Sequence, residues 1–350
     1  MSDSQTQLAH DLADRARIAA RSLAITSSEK KTKALHTIAD LLEARSSDIQ
    51  ASNKIDLDAL GDVNAAFRDR LVLDAARIKS MADGVRVVAS LTDPVGAIRN
   101  TKTLPNGLVV EKVAVPIGVI FVIFESRPNV TADAAALTLK SGNAVVLRGG
   151  KEAINTNKTI AAILSEGLKK SGLNPDSVVF VETTDRDFVN ELLALEGKID
   201  VVIPRGGHGL IRAVVENSRV PVIYHGAGIC HVYVDKDADE EIALRVAHNA
   251  KCSRPGVCNA METLLVHEAV AADMLPKLVS KLENVEIRGC EKTCAIVSDA
   301  KSATEDDWPA EFLDLILAVK VVSGVEEAID HIETYGSHLA DSIISQNQEV

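Results

Sequence analysis

The sequence predicts an α/β protein, built on a parallel sheet of the nucleotide-binding type with helices on both faces, followed by a second α/β region. Three observations carry this. From Val119 onward, short Val/Ile runs alternate with stretches of helical period, the rhythm of strand–helix–strand units whose strands run parallel. Runs such as Ala144-Val145-Val146-Leu147 are apolar without alternation, as strands covered on both faces are. The 350 residues, 46% of them hydrophobic, are too many for one small core and imply about two domains. We place the first at 1–230, carrying a flap near 101–116, and the second at 231–350.

Residues 1–90 read as helical. The opening stretch through Ala20 is amphipathic, and Leu35, Ile38, Leu42 and Ile49 recur near the helical period. Thr26 and Glu29 have the spacing of a capping box. Asp93-Pro94-Val95-Gly96 breaks the pattern. Asn106-Gly107 between apolar segments is a hairpin signal; 108–115 forms the second arm, and the product is an exposed two-stranded flap. Strands are expected at 119–124, 144–148, 178–182, 200–203 and 221–224, with helices at 129–140, 152–170, 186–196 and 208–217. The second α/β region opens at His231-Val232-Tyr233-Val234. Glycine pairs follow two of the expected strands, in Arg148-Gly149-Gly150-Lys151 and Arg205-Gly206-Gly207-His208. Strand C-termini are where open parallel sheets hold ligands, although a Gly-Gly pair there is also simply a tight turn. The usual glycine fingerprint for dinucleotides is absent, as is the Walker lysine motif.

Lys and Arg number 38 against 50 Asp and Glu, a formal charge of −12. An acidic chain with no lysine-rich block sets aside nucleic acid and anionic membranes as partners. A local arginine pocket still permits an anionic small substrate. The N-terminus lacks the apolar core of a signal peptide and carries acids that a mitochondrial presequence avoids. Apolar runs such as Val119–Phe124 are too short to span a bilayer. The five cysteines show no CxxC spacing, so neither a zinc pattern nor a disulfide framework is expected. The expected setting is a reducing cytoplasm, with no metal.

Two segments carry chemistry. Lys251-Cys252-Ser253-Arg254-Pro255-Gly256-Val257-Cys258-Asn259-Ala260 uses a Pro-Gly turn to present Cys258 on a loop ahead of an apolar strand. Arg254 favours thiolate over thiol, and thiolate is the nucleophilic form. Spacing alone also allows Cys258 to be a small buried residue that begins the strand, and it leaves Cys252 as a rival nucleophile. The other segment, 124–131, closes a strand and opens a helix. Its Ser126, Arg127 and Asn129 at a helix N-terminus suit an anion or an oxyanion. Capping by Asn129 or Thr131 beside an exposed arginine explains the segment equally well.

Several stretches, taken in order, resemble the γ-glutamyl phosphate reductase (glutamate-5-semialdehyde dehydrogenase) family, a divergent branch of the aldehyde dehydrogenase superfamily. They are Asp69-Arg70-Leu71, Leu104-Pro105-Asn106-Gly107-Leu108, Pro116-Ile117-Gly118-Val119, Glu125-Ser126-Arg127-Pro128-Asn129-Val130-Thr131, Lys140-Ser141-Gly142-Asn143, Cys230-His231-Val232-Tyr233-Val234-Asp235, Arg254-Pro255-Gly256-Val257-Cys258-Asn259 and Tyr335-Gly336-Ser337. The resemblance spans nearly the whole chain. It implies an aldehyde dehydrogenase-like fold: a Rossmann-like NADPH domain without the usual fingerprint, a second α/β catalytic domain and a small hairpin flap. It makes Cys258, rather than Cys252, the nucleophile. The implied reaction is NADPH-dependent reduction of L-glutamate 5-phosphate to glutamate 5-semialdehyde, on the route to proline, through a cysteine thioester.

The chemistry of that reaction, taken together with the resemblance, distributes the roles expected of these residues. Ser126, Arg148, Gly149, Gly150, Lys151, Gly206 and Gly207 are the cofactor residues. Arg127, Ser253 and Arg254 are the substrate residues, and the Cys258 amide with Asn129 stabilises the oxyanion. Lys151 falls where NAD-preferring relatives place a ribose-binding glutamate, so a cation there suits the NADPH 2′-phosphate. His225 falls where many aldehyde dehydrogenases place the base for thioester hydrolysis, and in a reductase it reads as a turn residue. A glutamate 5-kinase is the partner implied, and a homo-oligomer the expected assembly of the full-length form. The family pattern continues beyond Val350, so the catalytic domain is expected to be incomplete, with weakened folding and activity. Two rivals remain: another acylating aldehyde dehydrogenase, or a non-catalytic NADPH-binding fragment.

Overall fold

The computed structural model describes residues 3–63, 65–224, 226–282 and 284–350. The chain divides into two compact units, Met1–Tyr224 and His225–Val350. This division falls short of the expected 230/231, because the chain just before the first strand of the second unit is already tied into that unit. Gly228 N donates to Glu311 Oε1 at 2.9 Å and Ile229 N to Ser337 Oγ at 2.9 Å.

The first unit opens with α1 (Asp3–Ala24), α2 (Ser28–Ala44), α3 (Ser46–Asp58), α4 (Ala65–Leu71) and α5 (Ala75–Ser90). The expected Thr26–Glu29 capping box does not form. Thr26 Oγ1 instead donates back to Ser22 O at 2.8 Å at the end of α1, and Ser27 caps α2 by accepting from Lys30 N. The flap is β1 (Ile98–Thr103) paired antiparallel with β2 (Val109–Val113), and every residue of both strands is exposed. Its loop closes through Leu104 N to Leu108 O at 2.8 Å, with Gly107 at φ +85, a conformation that favours glycine.

Next come β3 (Val119–Phe124), α6 (Val130–Lys140), β4 (Ala144–Arg148), α7 (Ile154–Lys170), β5 (Val178–Phe180), α8 (Arg186–Leu193), β6 (Val201–Arg205) and α9 (His208–Asn217). The four strands form a parallel sheet in the order β5-β4-β3-β6. The alternating residues of β3 explain its unbroken apolar run. Ile120, Val122 and Phe124 enter a core shared with α2, α3, α5, α6 and α7, whereas Val119, Phe121 and Ile123 enter one shared with α1 and α8. Each such side chain contributes about 1.5–3 kcal/mol on burial. The strand expected at 221–224 does not form, and Val202 makes only an isolated bridge to Val222. Pro221 and Pro204 both lack an N–H at this edge, so a longer ladder has no donors there.

The second unit holds β7 (Cys230–Val234), α10 (Glu240–Cys252), β8 (Met261–His267), α11 (Glu268–Lys281), β9 (Glu286–Gly289), α12 (Glu291–Ile296), β10 (Lys301–Ser302), β11 (Ile316–Val322), α13 (Val325–Tyr335) and β12 (Asp341–Ile344). Its six strands run parallel in the order β10-β9-β11-β8-β7-β12. A core with α10 and α11 covers one face, and α13 packs on the other through Ala328 and Ile332 beside Tyr233, Leu265 and Val322. No helix among the described residues is long and apolar enough to cross a membrane.

Candidate active site

Strand order locates the first cluster. The chain runs from β3 outward through β4 to β5, then returns to lay β6 on the other side of β3. The C-terminal ends of β3 and β6 therefore flank a topological switch point, where open parallel sheets form a crevice for ligands. The register sets Ile123 beside Arg148 and Phe124 beside Arg205, so the loops after β3, β4 and β6 share one sheet edge. Arg148 ends β4, and those loops contain Ser126, Gly149, Gly150, Lys151, Gly206 and Gly207.

Side chains lock the loops together. Ser126 Oγ donates to Glu152 Oε1 at 2.8 Å, joining the β3 and β4 loops. Glu125 joins β3 to β6: its N donates to Arg205 O at 3.1 Å, and its Oε2 accepts from Gly207 N at 3.0 Å. Ser126 is held at φ 44, a left-handed conformation that costs a non-glycine residue about 1–3 kcal/mol and that clusters at functional sites. The glycines are needed for close approach. A Cβ on Gly206 would lie 2.6 Å from Glu125 Oε2, and one on Gly149 would collide with Asn157 Nδ2.

These residues fit a nicotinamide dinucleotide. The end of the second strand in such a sheet reads the adenosine ribose. Here it carries Arg148, whose buried Nε has no partner, and an exposed Lys151 with no ion-pair partner among the described residues. Burial first, then repulsion from Arg186, lowers the Arg148 pKa from its ordinary value. The nearby acids Glu152 and Glu125 attract the Arg148 charge and oppose that shift, but neither forms an ion pair with it among the described residues.

A cavity of about 530 Å³ lies beside this edge, lined by Asp69, Arg70, Arg77, Arg127, Asn129 and Asp133 among others. Arg77 is paired with Asp69 at 2.7 Å. Arg70 and Arg127 have no carboxylate partner among the described residues. Partial burial, then the charges of Arg205 and Arg70, lower the Arg127 pKa. Asn129 begins α6 without a side-chain cap, and its Nδ2 donates to Asp133 Oδ2 at 2.8 Å. Thr131 does not cap either; its Oγ1 donates to Asn157 Oδ1 at 3.0 Å.

The thiol loop belongs to the second unit, between α10 and β8. Of the five cysteines Cys258 alone is exposed. Its backbone N–H has no acceptor among the described residues, while its carbonyl accepts from Cys230 Sγ at 3.5 Å. Gly228 packs so tightly on that carbonyl that a Cβ would collide with it. Cys252, at the end of α10, is half-buried against the core, and burial raises its thiol pKa despite Lys251. Ser253 Oγ donates to Asn249 O at 2.6 Å, so this hydroxyl's proton is already engaged. The Arg254 side chain is exposed, without a partner among the described residues.

The loop is bracketed by an ion pair between Lys251 Nζ and Glu262 Oε2 at 2.6 Å, with no exposed side-chain surface on either residue. Glu262 Oε1 also accepts from Leu313 N at 3.2 Å. Burial raises the Glu262 pKa against the pull of Lys251. Among the described residues no group of His, Cys, Asp and Glu could hold a metal ion. His225 lies outside the described residues.

Sequence reasoning thus reached the strand-end residues of the first unit and the exposed thiol of the second. It passed over Glu125, Arg70, Asp133 and the Lys251–Glu262 pair. Two of these were visible as types: Lys251 and Glu262 are charges set in apolar surroundings, the pattern of a buried pair. Arg70 is distant in sequence from Arg127 and Asp133, and only the packing of α4, α5 and α6 brings the three to one cavity.

A model of the aldehyde dehydrogenase family matches residues 1–304. The chain is 52% identical over 341 residues to the γ-glutamyl phosphate reductase of Desulfatibacillum aliphaticivorans, covering 96% of this chain and 82% of that one. It is 52% identical, with the same coverage, to the γ-glutamyl phosphate reductase of Carboxydothermus hydrogenoformans. Among solved structures, the γ-glutamyl phosphate reductase of Thermotoga maritima matches with a TM-score of 0.95 and 45% identity, over 97% of this chain and 83% of that one.

Proposed function

The chain belongs to the aldehyde dehydrogenase family, alongside the γ-glutamyl phosphate reductases, and on that premise we propose that it reduces L-glutamate 5-phosphate to L-glutamate 5-semialdehyde and phosphate through a thioester on Cys258. The observation that carries the assignment of the thiol is the contrast between Cys258, exposed on its loop with a free amide, and the other four cysteines, which are buried or half-buried.

Cys258 Sγ, as thiolate, attacks the acyl carbon; the C–S bond forms, the C–O bond to phosphate breaks, and phosphate leaves with the electron pair. The developing oxyanion takes hydrogen bonds from the Cys258 N–H and from Asn129, whose Nδ2 has a second proton beyond the one given to Asp133. Arg127 and Arg254 are the candidates for the anionic groups of the substrate, since a guanidinium grips a carboxylate or a phosphate with two parallel bonds. Ser253 is left an acceptor role. A nicotinamide cofactor, when bound, supplies hydride. Ser126, Arg148, Gly149, Gly150, Lys151, Gly206 and Gly207 would hold it, and the cations Lys151 and Arg148 favour NADPH over NADH through its 2′-phosphate. When the aldehyde is released, the Cys258 sulfur departs as thiolate and is ready for another turnover.

A glutamate 5-kinase is the partner we assign for supply of the labile acyl phosphate, in a reducing cytoplasm that suits free thiols. A homo-oligomer is the assembly we assign to the full-length form, and the flap's exposed Val109, Val110 and Val113 are apolar surface for it to cover. The test of the thiol is selective alkylation. Iodoacetamide at equimolar ratio should modify Cys258 first and abolish activity in step, and Cys252→Ala should keep both behaviours. Full activity in Cys258→Ala would sink the proposal.

A further inference from the structure

Resting on the reading of the substrate as a glutamyl phosphate, we infer that the cavity of the first unit is the subsite for its α-amino-acid head, with Arg70 and Arg127 on the carboxylate and Asp133 on the ammonium. The cavity is charged in two places, and among the described residues neither charge has an ion-pair partner. Arg77 is neutralised by Asp69, so the unmatched positive charge belongs to Arg70 and Arg127. These two repel each other, and Arg205 adds to the repulsion on Arg127. An incoming carboxylate relieves that repulsion and offers two oxygens to planar donors.

Asp133 decides between a carboxylate head and a phosphate. Its Oδ2 has one side-chain donor, Asn129, and its Oδ1 has none among the described residues. Burial raises its pKa against the hydrogen bond from Asn129, so a cation brought beside it favours the ionised form. A ligand ammonium supplies both charge and donors. A phosphate alone, set among the same groups, would bring two negative charges towards this carboxylate with nothing to offer it. A zwitterion meets both needs.

Size and reach agree. A volume of about 530 Å³ lies within the range of small-molecule sites, roughly 300–1,000 Å³. Asn129 lines this cavity and is also the proposed oxyanion donor. The acyl carbon of a glutamyl group is three carbon–carbon bonds from its α-carbon, so a substrate with its carbonyl at Asn129 carries its head into the same space.

Calorimetry of the whole chain with L-glutamate, glutarate and 4-aminobutyrate tests this directly. Glutarate lacks the ammonium and 4-aminobutyrate lacks the α-carboxylate. The wild type should bind L-glutamate about 10- to 100-fold more tightly than either, the range of one charge-assisted contact. Asp133→Asn should erase the margin over glutarate and keep that over 4-aminobutyrate. Arg70→Gln should do the reverse; Arg70 is exposed, so this variant tests the clamp even where Asp133→Asn fails to fold. A wild type that does not bind L-glutamate, or does not distinguish it from glutarate, overturns the inference, as does a variant that weakens all three ligands equally. Correct margins in a chain without phosphate-dependent chemistry would leave the subsite standing and overturn the reductase reading. Chemistry without the margins would overturn the subsite alone.

Discussion

Replacing Lys251 with methionine should unfold the second unit more easily, and by an amount that depends on pH. Lys251 and Glu262 are both fully buried and 2.6 Å apart. Methionine fills most of the lysine stem's volume but leaves the Glu262 carboxylate with Leu313 N as its remaining donor among the described residues. Removing one partner of such a pair costs about 3–5 kcal/mol, because the charge left behind is uncompensated. The sign of the pH effect follows from linkage. Burial already raises the Glu262 pKa above its ordinary value, and without the lysine it rises further. The folded state then holds a proton that the unfolded state releases near pH 4.3, so stability falls as pH rises from there to the folded pKa. The penalty of Lys251→Met should therefore be small near pH 5 and approach its full value near pH 8. Trp308 is the single tryptophan and is buried in the second unit, so its fluorescence during urea unfolding reports on that unit. Lys251→Met combined with Glu262→Gln should recover most of the loss, since the amide oxygen still accepts from Leu313 N. A penalty below about 1 kcal/mol at pH 8, or one independent of pH, would refute the reasoning.

Three further outcomes are expected. Lys151→Glu should cut the preference for NADP⁺ over NAD⁺, read as a ratio of kcat/KM, by roughly 10- to 100-fold, because it sets a carboxylate against the 2′-phosphate; an unchanged ratio means Lys151 does not face the cofactor. Gly228→Ala should force the Cys258 carbonyl to move and lower kcat about 100-fold, the scale of a 1 Å misplacement, with urea unfolding showing the unit still folded. His331, almost fully buried, has its pKa pushed down to about 3 by burial first and then by Lys320. Between that value and about 6.5 the unfolded state binds the extra proton, so stability drops by up to about 1.4 kcal/mol per pH unit as pH falls through this window. His331→Leu should flatten that slope in the Trp308 signal, and an equally steep slope would contradict the assignment.

Much of the first unit was legible because its strands are buried on both faces. The apolar runs at Val119–Phe124 and Ala144–Arg148 have no amphipathic alternation to confuse with a surface strand, and both form as expected. The capping box at Thr26 was misread because three consecutive hydroxyl residues, Thr26, Ser27 and Ser28, offer the same local chemistry, and packing chooses between them. The strand at 221–224 was misread because its apolar character outweighed Pro221 in the reading, whereas hydrogen-bond donors decide a ladder. In the site, sequence could name the loop of Cys258 but not separate it from Cys252. Their difference is one of exposure, set by where α10 ends and how Gly228 seats the loop. Glu125 was quoted only as part of a motif. Its bridge to Gly207 depends on β3 and β6 being neighbours, a fact of sheet order that lies outside the 124–131 segment.

The most direct test is the reverse reaction. Pyrroline-5-carboxylate, in equilibrium with glutamate 5-semialdehyde, is mixed with inorganic phosphate, NADP⁺ and the purified chain, and NADPH absorbance is followed beside Cys258→Ala. Signal that requires phosphate and disappears in the variant is the predicted result, and it ties substrate, cofactor and nucleophile together. Signal that persists in Cys258→Ala, or that does not depend on phosphate, would contradict reduction of an acyl phosphate through this cysteine.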